Sequence, residues 1–254
     1  MAATAPHRKP EDLEMARRAA RTLVEFAYEA IRQDILCGAL APGEKLRVEV
    51  LKEHYQVGSS TLREALTLLV ADALVTAEGQ RGFRVTPISL DDIRDITEMR
   101  KMLETQALRR SIERGGDEWE ANLVAAWHRL SKVEERIYDD PQGLSAEWEE
   151  RNKAFHEALI GACQSHWLHH FRDILYHQSE RYRRIALTGR TVPRNVHEEH
   201  RAIFEATMAR DADTACAHTA EHIDRTLQAL SCMFQDGDAP MPERRAAAGA
   251  ERRG

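Results

Sequence analysis

Twelve histidines run through the sequence, and a few are spaced for metal chemistry. Asn152 and His156 are four residues apart, which on a helix puts both side chains on one face. His200 follows in Glu199-His200-Arg201, and His222 in Glu221-His222. Three imidazoles and one oxygen donor converging inside a helical bundle suit a divalent cation such as zinc or nickel, with positions left open for a ligand. Spacing alone does not select this set. His166 and His170 are also four apart, and His169, His177, His197 and His218 compete for the same role.

A second chemistry is suggested near the other end. Ser59, Ser60 and Thr61 precede the stripe Leu62, Ala65, Leu66, Leu69 and Val70, so hydroxyls cluster at the start of an amphipathic helix with Ser60 or Thr61 as its N-cap. Thr61 and Glu64 have the spacing of a capping box. The major groove of DNA admits one α-helix, whose N-terminal side chains reach base edges and phosphates. Arg63 is long enough for either target, and Arg47 is placed to meet the flanking backbone. Arg81 and Gly82 fall in a glycine-containing loop, where a small residue allows close approach and the arginine meets the negative potential of a narrow groove.

The elements around these residues follow from periodicity. Leu23, Phe26, Ala27, Ala30, Ile31 and Ile35 recur at helical spacing and stop at Gly38. A short helix from Val48 to His54 leads through Gln56-Val57-Gly58 into the Ser60 helix. Leu74–Ala77 and Phe83–Thr86 then read as a small hairpin around Glu78-Gly79-Gln80-Arg81-Gly82. Three helices and a hairpin in this order make a winged helix-turn-helix over residues 21–87. Residues 89–234 read as six helices with short links, an all-α bundle. The fold class is therefore mainly α. Residues 1–20 and 235–254, rich in Ala, Pro, Gly and charge, read as disordered tails.

Bulk properties fit this organisation. A formal charge of −6 over 254 residues means that contact with nucleic acid must come from a local patch. Four scattered cysteines without a C-x-x-C pair, and no apolar run of membrane-spanning length, point to a reduced cytoplasmic protein and no membrane.

The stretch LAPGEKLRVEVLKEHYQVGSSTLREALTLLVADALVTAEGQRGFRVTPI resembles the winged helix of GntR-type transcription regulators, through Arg63-Glu64-Ala65-Leu66, Leu74-Val75 and the glycine-containing wing. The helical block after it resembles the FCD effector domain of the FadR branch. That resemblance implies a metal held by Asn152, His156, His200 and His222, with Asp211 marking the last segment. The chain has Asn152 where the family has an aspartate, so the donor set carries one negative charge fewer. An anionic effector regains part of it by placing a carboxylate on the metal. The chain also has Ser59 and Thr61 where arginine and proline are common, which puts Arg63 ahead of Ser59 as the main reader.

Such an acid needs a second anchor, and a guanidinium grips a carboxylate with two bonds. Arg100 is the first candidate, though Glu104 at i+4 competes for it; Arg181, in a charged run, is the second. The expected protein is a DNA-binding regulator, a repressor by preference. Its partners are double-stranded operator DNA, a small carboxylate effector and a second copy of itself. A metal-dependent hydrolase is the competing reading, weakened by the absence of H-E-x-x-H, a phosphate loop or a nucleophile elbow. A third reading makes the bundle only a metal-stabilised dimerisation module.

Overall fold

The computed structural model describes residues 10–79, 82–137, 141–188 and 195–236. The chain begins with α1 (Pro10–Ala19), α2 (Leu23–Leu36), β1 (Lys45–Leu46), α3 (Val48–Tyr55), α4 (Ser59–Ala71), β2 (Val75–Ala77) and β3 (Phe83–Val85). Strand β3 lies between β1 and β2 and is antiparallel to both. Phe26, Ile31, Leu51, Tyr55, Leu62, Leu66, Leu69 and Val85 close one core beneath these elements. That is the expected winged helix-turn-helix, with β1 added as a third strand of the wing.

Two expectations about its edges need correction. Residues 10–19, expected in a disordered tail, form α1, because Leu13 and Ala16 find an apolar surface on this core. Helix α4 starts at Ser59 with Gly58 as its N-cap, and no side chain caps it, so Thr61 and Glu64 form no capping box there.

Six more helices complete the chain: α5 (Leu90–Arg114), α6 (Asp117–Glu134), α7 (Pro141–Leu159), α8 (His166–Thr188), α9 (Val196–Met208) and α10 (Ala212–Asp236). Ser89 caps α5 by accepting from the Asp92 N–H, and Asp211 caps α10 by accepting from the Thr214 N–H. Helix α7 begins at Pro141, and a proline fits the first helical turn, where its missing N–H is no loss. Helix α10 runs to Asp236, past the expected start of the tail, and residues 237–254 lie outside the described residues. Among the described residues no helix is long and apolar enough to cross a membrane.

Helix α8 joins the bundle to the winged helix-turn-helix, the reading head expected from the sequence. Glu180 accepts from Arg32 of α2 at 2.8 Å, and the same nitrogen lies 3.0 Å from His177 Nδ1. Gln178 donates to the Asp72 carbonyl, Arg181 to the Thr86 carbonyl, and the Tyr182 hydroxyl to Asp92 at 2.6 Å. Burial pushes the Glu180 carboxyl up, but His177, Arg32 and Arg184 outweigh it and hold the pKa at about 2.

Candidate metal and effector centre

His156 on α7, His200 on α9 and His222 on α10 converge at the middle of the bundle. All three are buried, and one ligand nitrogen from each lies within 4.8 Å of the others. Their ring centroids are 5.4 Å (His156–His200), 5.3 Å (His156–His222) and 4.5 Å (His200–His222) apart. Carboxylates stand beside the Nδ1 atoms, within hydrogen-bond reach for His200 and His222 and beyond it for His156. His200 Nδ1 is 2.7 Å from Glu134, His222 Nδ1 is 2.8 Å from Glu199, and His156 Nδ1 is 3.8 Å from Glu104. In His200 and His222 a carboxylate accepting at Nδ1 fixes the proton there and presents Nε2 as a lone-pair donor, the arrangement typical of metal-bound imidazoles. His200 Nε2 is buried with no hydrogen-bond partner.

Asn152, one turn before His156, donates through Nδ2 to the Tyr176 hydroxyl at 2.8 Å. Its Oδ1 is buried and also lacks a partner. Orphaned buried acceptors are costly unless something completes them. Burial, followed by His222, His200, Arg172 and Arg100, pushes His156 well below the usual imidazole range, so it stays neutral and able to ligate. These donors fit a divalent cation. Its chemistry would be that of a Lewis acid accepting an anionic oxygen.

Beside this cluster the Tyr176 ring is surrounded by arginines. Guanidinium carbons of Arg183, Arg172 and Arg100 lie 4.0, 4.2 and 5.2 Å from its centroid. Arg183 is engaged by Glu149, and Arg100 donates to Glu104 at 2.8 Å with both side chains buried. Arg172 differs. Its side chain is fully buried, its Nη1 meets Asp173 at 3.2 Å, and its Nε and Nη2 have no partner. Arg181 lies apart from the histidines, at the junction with the reading head, where it donates to Thr86 and lies against Tyr182.

Of the residues expected to meet DNA, Arg63 and Ser60 are exposed on α4, Ser59 and Thr61 are half-buried at its start, and Arg47 is the exposed N-cap of α3. Gly82 adopts φ +94°, a left-handed conformation that suits glycine at the wing tip. Arg81 lies outside the described residues.

Two family models match. Residues 23–85 match "Bacterial regulatory proteins, gntR family", and residues 95–225 match "FCD domain". This chain is a GntR-family regulator with an FCD domain. It is 47% identical to the "Uncharacterized HTH-type transcriptional regulator BphR" of Paraburkholderia xenovorans, over 83% of this chain and 86% of that one. It is 38% identical to the "HTH-type transcriptional repressor GlaR" of Escherichia coli, over 77% and 90% of the two chains. The solved structure "E. coli McbR/YncC" superposes with a TM-score of 0.66 at 19% identity, over 86% of this chain and 100% of that one, a likeness of fold. The families and these relatives are transcription regulators and not enzymes, which sets aside the hydrolase reading.

Sequence reasoning overlooked three contributors to the centre. Glu134 and Glu199 orient histidines. Arg172 shares the spacing 172, 176, 179, 183 with Tyr176, Ser179 and Arg183, a polar stripe at helical intervals that the sequence does display.

Proposed function

We propose that this GntR-family protein is an operator-binding repressor whose grip on DNA is set by a small carboxylate held beside a metal. Asn152, His156, His200 and His222 hold a divalent cation, with zinc or nickel suited to the imidazole-rich set. None of these four donors is anionic, so the cation's charge is left to be balanced by an incoming carboxylate. Arg172 takes the acid's remaining oxygens. The observation that carries this reading is the Arg172 guanidinium, buried with two donor nitrogens unpaired, next to a histidine cluster with unpaired acceptors of its own. It also favours a sensor over a purely structural metal, since a dimerisation module has no use for a buried guanidinium with two donor nitrogens left over. Arg100 sits behind, already committed to Glu104.

Residues 21–87 form the reading head, with Ser59, Ser60, Thr61 and Arg63 in the major groove, Arg47 on the flanking backbone, and Arg81 and Gly82 at the wing. Residues 89–234 form the effector domain, and the regulator works as a homodimer. Helix α8 carries Arg172 and Tyr176 beside the histidine cluster and Glu180 and Arg181 at the head, so an acid that repositions it alters both. The repressor assignment follows the name carried by GlaR.

A panel of mono- and dicarboxylates, screened by thermal shift on the zinc-loaded and chelated protein, tests this. One acid is expected to raise the melting temperature of the loaded protein by several degrees and to release operator DNA in a mobility-shift assay. Equal behaviour of loaded and chelated protein towards every acid would sink it.

A further inference from the structure

We infer that α1 and the turn after it form a phosphate-gripping arm of the reading head, with Arg18 and Arg21 against the DNA backbone and Arg17 as the anchor. This rests on the operator-binding reading above and adds a contact to the same DNA. The segment matched to the gntR family starts at residue 23, so α1 (Pro10–Ala19) lies outside it. That matched segment is short of positive charge: residues 23–85 hold seven Lys and Arg against nine Asp and Glu. A large share of the affinity of any protein for DNA comes from cations that displace counterions from phosphates. A head with a surplus of acids therefore gains from cations supplied beside it.

Packing brings such cations to the start of α4. Leu13 and Ala16 lay one side of α1 on the core of the head. Arg17 reaches further: its Nη1 donates to the Gln56 carbonyl at 3.4 Å, and its guanidinium carbon lies 6.0 Å from the Phe26 ring centroid. Gln56 closes α3 in a left-handed conformation, φ 52°, and the chain reverses there into α4. Ser59 opens α4 three residues later, so at most about 11 Å separates the two Cα atoms. The last turn of α1 is thereby tied to the end of α4 that carries Ser59, Ser60 and Arg63.

Charge is sorted along the arm. Glu11, Asp12 and Glu14 fall in the first half of α1, whereas every charged residue from Met15 to Val24 is an arginine, at positions 17, 18 and 21. The positive end is thus the end tied to the turn. Arg18 and Arg21 are exposed there. Arg18 meets Glu14 at 3.4 Å with side chains 80% and 59% exposed, a pair worth little in water and readily exchanged for a phosphate. At physiological salt a charge is felt over about 8 Å, so arginines beside this turn act on DNA that α4 holds. Basic residues in a last turn also suit the helix dipole. That role concerns the stability of α1 and predicts no effect of salt on DNA binding, so the two roles part on measurement.

Fluorescence anisotropy of the full chain on a labelled duplex from its own upstream region, at about 50 to 200 mM KCl, tests the arm. Arg18→Ala/Arg21→Ala should weaken binding about tenfold near 0.15 M salt. It should also flatten the plot of log affinity against log salt by about one unit for each arginine lost per bound protomer. Two control pairs accompany it. Arg18→Lys/Arg21→Lys keeps the charge and should stay within about threefold of wild type. Arg129→Ala/Arg136→Ala removes two exposed cations from the bundle and should leave the slope unchanged. A wild-type slope in the first pair, or an equal loss in either control, overturns the arm and leaves the operator-binding regulator standing. A wild type that binds no duplex at about 50 mM salt overturns both. Should the alanine pair melt below wild type, Arg18→Gln/Arg21→Gln decides by the same slope.

Discussion

Arg32 of the reading head and Glu180 of α8 meet at 2.8 Å across the domain boundary, one helical turn from the Tyr176 ring that faces the histidine centre. Arg32→Ala therefore separates binding from response. Calorimetry should find acid affinity within about twofold of wild type, while the acid-induced change in operator affinity falls several-fold. An unaltered response in a mobility-shift titration would remove this ion pair from the coupling route.

The same contact has a pH signature. The Glu180 pKa in the fold is about 2, below the ordinary 4.5, so the folded state favours its ionised form. Its contribution is complete above pH 4.5 and disappears as the pH falls through about 2, at most roughly 3 kcal/mol for this buried group. Denaturant titrations from about pH 5 down to about pH 2 should show a shallower loss in Glu180→Gln than in wild type. Parallel curves would contradict the assignment.

Metal content tests the histidine set directly. His200→Ala should purify with little bound zinc or nickel by elemental analysis, whereas His166→Ala should match wild type. Glu134→Gln keeps the ligands but loosens His200, and about a 10- to 100-fold weaker metal affinity is expected. His156, held well below the ordinary 6.5, makes its full contribution to apoprotein stability above that pH. The contribution declines as the pH drops below 6.5, because the unfolded chain takes up a proton that the fold refuses.

Replacing Arg172 by Met removes a buried cation without opening a large cavity. The chelated variant should melt at the same temperature as wild type or higher, since a buried guanidinium with two nitrogens unpartnered costs desolvation energy. Acid binding to the metal-loaded variant should weaken by about 100-fold, the loss of a charge-assisted bidentate contact. Unchanged acid affinity would return the anchor role to Arg100.

On DNA, Arg63→Ala is expected to cost about 1–3 kcal/mol and to relax preference at one base position. Arg47→Ala should weaken all sequences alike and reduce the salt dependence by about one unit of slope. Competition binding across operator variants at two salt concentrations distinguishes a base reader from a phosphate contact.

The helix pattern makes most of this fold legible in the sequence, because buried stripes such as Leu62, Leu66 and Leu69 repeat with the helical period. Strand β1 is not legible there: two residues, Lys45 and Leu46, become a strand only by borrowing bonds from β3. Helix α1 is hidden for a related reason, since a short charged segment shows an apolar side only once Leu13 and Ala16 have a surface to cover. At the candidate centre, His156, His200 and His222 are singled out by resemblance and not by spacing. Glu134 carries no such mark. It comes from another helix, 66 residues before His200, and resembles any surface acid until the fold buries it.

Helix α8 also restricts how this sequence can change. Within one cylinder it presents Arg172, Tyr176 and Arg183 inwards, Glu180 and Arg181 to the reading head, and Trp167, Phe171 and Ile174 outwards. Inserting or deleting one residue would turn everything beyond it by about 100°. Charges would then swing into apolar surroundings and aromatics into the polar interior. Substitutions can be absorbed one at a time along this rod, whereas a change of length near its middle scrambles every assignment downstream. Related chains should therefore vary in α8 by residue type and keep its residue count fixed.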